Sequence, residues 1–133
     1  MAPLRSDFTI ENLRNVEDSA PRFGYDELQE ARFARGALDA EATGISYHRV
    51  KAGKRQGFGH HHVEAEEIYV VISGSGRVKL GDEIREVGAL DAIRVDPAVT
   101  RAFEGGPDGL ELVAFGPHHA GDGEMVPDFW PDD

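Results

Sequence analysis

The sequence predicts an all-β fold, a small antiparallel sandwich or barrel, and three observations lead there. Sixteen glycines and seven prolines divide 133 residues into short pieces, which favours strands over long helices. Between those breaks, several pieces alternate polar and apolar residues or are rich in β-branched side chains. No repeat of the period that marks a solenoid, and no low-complexity tract, competes with this reading.

The elements follow in order. Residues 1 to about 30 leave alternatives open. Phe8-Thr9-Ile10 fits an edge strand, Tyr25 to Phe33 fits a helical turn, and Arg32-Phe33-Ala34-Arg35 fits a strand equally well. From Gly44 the pattern sharpens. Ile45 to Val50 reads as a strand with a turn at Gly53, Phe58 to His62 as a second, and Glu67 to Ile72 as a third. Gly74-Ser75-Gly76 is expected to interrupt the chain. Arg77 to Leu80 alternates as a half-buried strand does, and Gly81-Asp82 is a two-residue hairpin signal before Glu83 to Val87. Asp91 to Val95, Arg101 to Glu104 and Leu110 to Phe115 complete the set.

Ile68-Tyr69-Val70-Val71-Ile72 is apolar on both faces. One face is expected to line the interior and the other to meet a second layer, the N-terminal residues or a second copy in a homodimer. Phe129 and Trp130, near the end of an acidic chain, are expected to pack on the barrel or on a neighbouring subunit.

Composition excludes whole classes of function. A net charge of −11, from 25 acidic and 14 basic residues, repels phosphate backbones and anionic lipid, so neither nucleic acid nor membrane is an expected partner. Cysteine is absent, which rules out thiolate ligands, cysteine nucleophiles and disulfides and fits a reducing compartment. The N-terminal residues show no secretory apolar core, and the longest apolar run, Ile68 to Ile72, is far short of a membrane span. A soluble cytoplasmic protein is the expectation.

Chemistry concentrates in one stretch. Side chains two apart on a strand share a face, so His60 and His62 point together and His61 points away. Their Cα atoms should lie about 6.5 to 7 Å apart, from which two imidazoles converge on an ion at about 2.0 to 2.1 Å. Glu67 follows after Val63 to Glu66, room enough for a turn. Its carboxylate on the next strand would complete a two-His, one-carboxylate face with open coordination positions.

These residues resemble the first sequence motif of the cupin superfamily, in its small single-domain, conserved-barrel (cupin 2) form. The pattern is His-x-His, three or four residues, Glu, six residues, Gly; here His60 and His62, then Glu67, then Gly74. Its leading glycine falls on Lys54, with Gly53 one residue early. The resemblance implies a double-stranded β-helix barrel in a single domain over 1–133, with a core at about 44–115 and packing extensions at 1–43 and 116–133. It also implies that His60, His62 and Glu67 ligate one divalent ion, of iron, manganese, nickel or zinc.

The second motif is degenerate. Leu90 stands where the family has glycine, Asp96 where it has proline, Ala98 where it has a second glycine, and Arg101 where it has a fourth histidine ligand. A guanidinium has no lone pair for a cation. Two readings remain: Arg101 replaces the metal charge and pairs with Glu67, or the ion stays on three ligands and Arg101 grips an anionic substrate. Phe103 shares the face of Arg101 and Tyr69 that of Glu67, so both join the candidate ligand-contacting residues. His48, sharing a face with Ser46 and Val50, is a further ligand-contacting candidate and reads first as a hydrogen-bonded wall histidine, with a fourth metal ligand as the alternative. Tyr47 points oppositely. His118, His119, Glu64 and Glu66 read as surface residues.

The expectation is a metal-binding barrel with a pocket for a small, anionic molecule, acting as an enzyme or a sensor. The alternative is a metal-free binding or structural barrel tied by Arg101. Catalytic residues are not identified by the sequence, since no general acid or base stands out beyond the ligands.

Overall fold

Apolar alternation sets the strands, and glycine decides where two of them bend without breaking. The computed structural model describes residues 6–131; Met1 to Arg5 of the expected N-terminal extension, with Asp132 and Asp133, lie outside them. Among the described residues eight strands form: β1 (Gln29–Phe33), β2 (Thr43–Val50), β3 (Gly59–His62), β4 (Glu67–Leu80), β5 (Glu83–Gly88), β6 (Ala92–Val95), β7 (Arg101–Pro117) and β8 (Gly123–Val126). Their pairings are antiparallel. One path runs β1-β2-β7-β3-β8, and β4 joins it through β7 while also pairing β5 and β6. The all-β expectation holds.

Two expected interruptions are absent. Gly74-Ser75-Gly76 lies inside β4, and the separate strands expected at Arg101 to Glu104 and Leu110 to Phe115 are one strand, β7. The glycines let the long strands cross closely. A Cβ on Gly74 would stand 2.1 Å from the Gly109 carbonyl oxygen, and one on Gly76 would stand 2.0 Å from that of Glu104. The β4–β7 register slips at these points, as bulges require. Glycine here is a point of close approach rather than a stop signal.

The ambiguous N-terminal region resolves into both turn and strand. Phe8 and Ile10 are exposed and belong to no strand. A short 3₁₀ turn, Ala20–Phe23, precedes a turn at Asp26 to Leu28, and β1 begins at Gln29. Asp18 fastens this segment by accepting from the Ala31 amide at 2.9 Å. The Gly81-Asp82 hairpin forms with Leu80 opposite Glu83.

Val50, Tyr69, Val71, Val78, Phe103, Leu110 and Leu112 fill the interior. The other face of β4 is less covered: Ile72 is 48% exposed, and Phe115, opposite Ile68, is 37% exposed. The C-terminal aromatics pack on the barrel. Phe129 lies against Gly59 and beneath the Lys79 ammonium, and the Arg55 guanidinium stacks 4.8 Å from the Trp130 ring centre. No helix among the described residues is long and apolar enough to cross a membrane.

Candidate metal centre and its cavity

The short strand β3 sends its histidines to opposite faces, as alternation requires. His61 turns away and meets Glu124 at 2.9 Å. His60 and His62 turn inward, with ring centres 5.2 Å apart. The loop from Val63 to Glu66 must then return the chain so that Glu67 faces them, and one side chain holds it. Asp122 accepts from the amides of Val63 (3.2 Å), Glu64 (2.9 Å) and Ala65 (2.9 Å). Burial would raise the Asp122 carboxyl, but these three amides and the nearby His62 outweigh it and hold the group below its usual range.

Glu67 Oε1 lies 3.4 Å from His60 Nε2 and 3.8 Å from His62 Nε2. The three donor atoms sit within 4.8 Å of one another. Burial would push the Glu67 carboxyl up, yet hydrogen bonds with His60 and Tyr69 and the nearby His62 ring prevail and keep it well below the carboxylate range. Tyr69 donates its hydroxyl to Glu67 Oε1. Its own ionisation is pushed far up, first by burial and then by the adjacent carboxylate, so it stays a donor.

The residues fit a cation. Both ring nitrogens of His62 are buried without a hydrogen-bond partner. An unsatisfied buried nitrogen is costly, and an ion on Nε2 would remove that cost. Asp122 Oδ2, 3.4 Å from Nδ1 on the far side of the ring, stands where an orienting carboxylate belongs. The donor set, two imidazoles and a carboxylate, suits a first-row divalent metal.

Arg101 stands beside Glu67, as the first of its two readings expects, and it also serves the backbone. It is fully buried, opposite His60 in register, and its Nε lies 3.7 Å from Glu67 Oε1. Its NH1 donates to the carbonyls of Val99 (2.9 Å), Pro97 (3.4 Å) and His60 (3.4 Å). The guanidinium therefore backs Glu67 and pins the loop before β7.

A cavity of about 320 Å³ opens in front of the histidines and Glu67. Tyr69 and His48 are on its wall; Arg101 and Phe103 are not. Phe103 is a core residue, its ring 4.9 Å from that of Tyr69. His48 is the hydrogen-bonded wall histidine expected, with Nε2 2.8 Å from Ser46 Oγ. Burial lowers its pKa to about 4, which keeps the imidazole neutral near pH 7. A neighbouring cavity of about 390 Å³ also touches His62 and Glu67, and has Arg35 and the exposed His118 and His119 on its wall. Glu64 and Glu66 make surface pairs with His119 and Arg94.

Sequence reasoning missed Asp122. Its contacts span 57 to 59 residues, and the sequence shows only an aspartate between two glycines in an otherwise unmarked tail.

Neither family models nor curated protein sequences match this chain. Solved structures do. A cupin protein from Bacteroides fragilis superposes with a TM-score of 0.69 at 18% identity, over 96% of this chain and 99% of that one. The chain is folded as a cupin. Polyketide cyclase RemF from Streptomyces resistomycificus gives 0.73 at 19% identity over 94% and 88%. Oxalate decarboxylase from Bacillus subtilis gives 0.59 at 22% over 73% and 27%. Enzymes of unlike chemistry therefore share this cupin barrel, and the barrel alone selects none of them.

Proposed function

We propose that this cupin binds one divalent metal ion through His60, His62 and Glu67 and presents it to a small molecule in the adjoining cavity. The observation that carries the reading is His62, whose buried Nε2 has no hydrogen-bond partner and faces the Glu67 carboxylate. Three protein donors leave coordination positions open, and an ion so held polarises a bound oxygen. The chain's own residues orient and tune the set. Asp122 aligns the His62 ring, Tyr69 donates to Glu67, and Arg101 backs the same carboxylate.

Elemental analysis of tag-free protein is the direct test. Near one ion per chain, lost in the His60→Ala, His62→Ala double variant, is the expected result. Metal at background level in the unaltered protein would overturn it.

A second reading rests on Arg101. Its Nε and NH2 are buried without hydrogen-bond partners and its Nε is 3.7 Å from Glu67, so the guanidinium would neutralise the carboxylate in a metal-free barrel. The metal reading is preferred because Arg101 leaves His62 unsatisfied. We also propose a homodimer in which a second copy covers Ile72 and Phe115, and a cytoplasmic setting consistent with a chain that lacks cysteine.

A further inference from the structure

Three large apolar side chains stand on the walls of the 320 Å³ cavity while remaining largely in solvent. Phe23, Phe33 and Met125 are 58%, 60% and 55% exposed. They come from the 3₁₀ turn, β1 and β8, well separated in the chain, yet they meet at one opening. The core does not need them there, and clustered exposed apolar surface marks a contact site. Behind them the Tyr25 and Phe58 rings, 5.7 Å apart, continue the apolar wall inward.

The candidate ligands, the Tyr69 hydroxyl and the Ser46–His48 pair are the polar groups on the more buried part of the wall, with Ser19 and the exposed Glu124 elsewhere on it. Gln29 and Gln56 also line the cavity, but their side-chain oxygens already accept from the amides of Gly57 and Phe103. Among the lining residues there is no lysine or arginine, while Glu67 and Glu124 are acidic. With no ion bound, a carboxylate or phosphate entering here would meet aromatic walls and the Glu67 and Glu124 carboxylates. A neutral molecule with a flat apolar body would cover the exposed rings and still reach the polar floor.

We propose that this cavity takes a neutral ligand of aromatic size carrying a hydroxyl or carbonyl oxygen. Phe33, Phe58 and Met125 hold the ring, and the oxygen points toward Tyr69, Ser46 and the candidate ion. Only that last contact rests on the metal reading; the apolar walls stand without it. The proposal departs from the anionic ligand expected from sequence, because Arg101 is directed to loop carbonyls and is absent from the wall. Arg35, on the neighbouring cavity, would be the route for an anion.

Two probes with one ring system and different charge decide the matter: 2-naphthol and 2-naphthoate. Each is titrated into chelator-treated and zinc-loaded protein, followed by naphthyl fluorescence. In the chelator-treated form the neutral probe should bind about tenfold or more tighter than the anion, and zinc should tighten its binding further. Phe33→Ser with Met125→Ser should weaken 2-naphthol by about tenfold, as expected for losing two apolar contacts, with little change in Tm because both residues are exposed. Phe23→Ser should act in the same direction, providing a second variant. Tighter binding of 2-naphthoate that is abolished by Arg35→Ala would overturn the proposal, as would no binding of either probe. Unchanged 2-naphthol affinity in the double variant, with a dimer converted to monomer in sedimentation, would make the rim an interface between copies and would also overturn it. If 2-naphthol binds but the protein takes up no zinc, the metal reading fails and this one stands; zinc uptake without 2-naphthol binding gives the reverse.

Discussion

The two sides of the candidate centre are built on opposite principles. On the β3–β4 side, His60 and His62 turn their ring nitrogens toward Glu67, and those of His62 are left without hydrogen-bond partners. On the β7 side, Arg101 directs NH1 to the carbonyls of His60, Pro97 and Val99 and lays its Nε behind Glu67. One side keeps donor atoms available, and the other places a strut where the motif resemblance expects a fourth ligand. A guanidinium is tolerated in this buried place because its NH1 satisfies three backbone carbonyls around it.

Replacing the strut should have the largest effect. Arg101→His puts an imidazole Nε2 three bonds beyond Cβ, as the arginine Nε is, and so within reach of the candidate ion. It also removes the donor that Val99, Pro97 and His60 share. Urea denaturation should show a loss of roughly 2 to 4 kcal/mol, while zinc affinity rises by about tenfold. Stability and affinity moving in opposite directions would support the division of labour described above. Loss of both would show that the guanidinium positions Glu67 for the ion rather than standing in for a ligand.

The opposite wall of the cavity offers a pH test. Burial holds His48 at about 4 against an ordinary value of 6.5, so the unfolded chain binds the extra proton first. The resulting stability is fully present above pH 6.5 and is lost as pH falls through about 4. On the order of 3 kcal/mol should disappear across that window in chelator-treated protein. His48→Gln should flatten that part of the acid limb; an unchanged limb would mean that this imidazole is solvated.

Asp122 links the available ligand side to the tail. Asp122→Ala removes the carboxylate beside His62 Nδ1 and the acceptor for three loop amides. Zinc affinity should fall by roughly 10- to 100-fold, read by competition with a chromogenic chelator. Asp122→Asn keeps an acceptor for the loop but loses the charge, so it should recover much of the stability and less of the affinity.

How much of this was legible depended on the range of the contacts involved. The His60-x-His62 and Glu67 spacing is local, and strand alternation with one turn is enough to bring those residues together. An antiparallel sandwich or barrel followed from turn residues and alternation as well, and its cupin form from the motif resemblance. What was not legible depended on partners far along the chain. Gly74 and Gly76 read as a stop because their reason, the carbonyls of Gly109 and Glu104, lies on another strand. Arg101 was read as facing inward, which its burial agrees with, but the carbonyls that capture it belong to a loop whose path no periodicity predicts. Asp122 carried no local signal at all.

The smallest effect tests the degenerate motif itself. Leu90 occupies the place where the resemblance calls for glycine, and its backbone has φ 71°, the left-handed region that glycine enters freely. The backbone therefore adopts a conformation suited to glycine while carrying a leucine, and the Leu90 amide donates to the Val71 carbonyl at 2.7 Å. A leucine held there costs about 1 to 2 kcal/mol, of which glycine's extra freedom in the unfolded chain offsets roughly 0.5 to 1. Leu90→Gly should thus raise stability by up to about 1 kcal/mol, and Leu90→Ala, which keeps the strained backbone, should not. With the side chain 81% exposed, few contacts within the chain are lost by the change. A destabilised glycine variant would mean that the leucine is held by something outside the chain, and a concentration-dependent Tm in the unaltered protein would then identify a second copy as the holder.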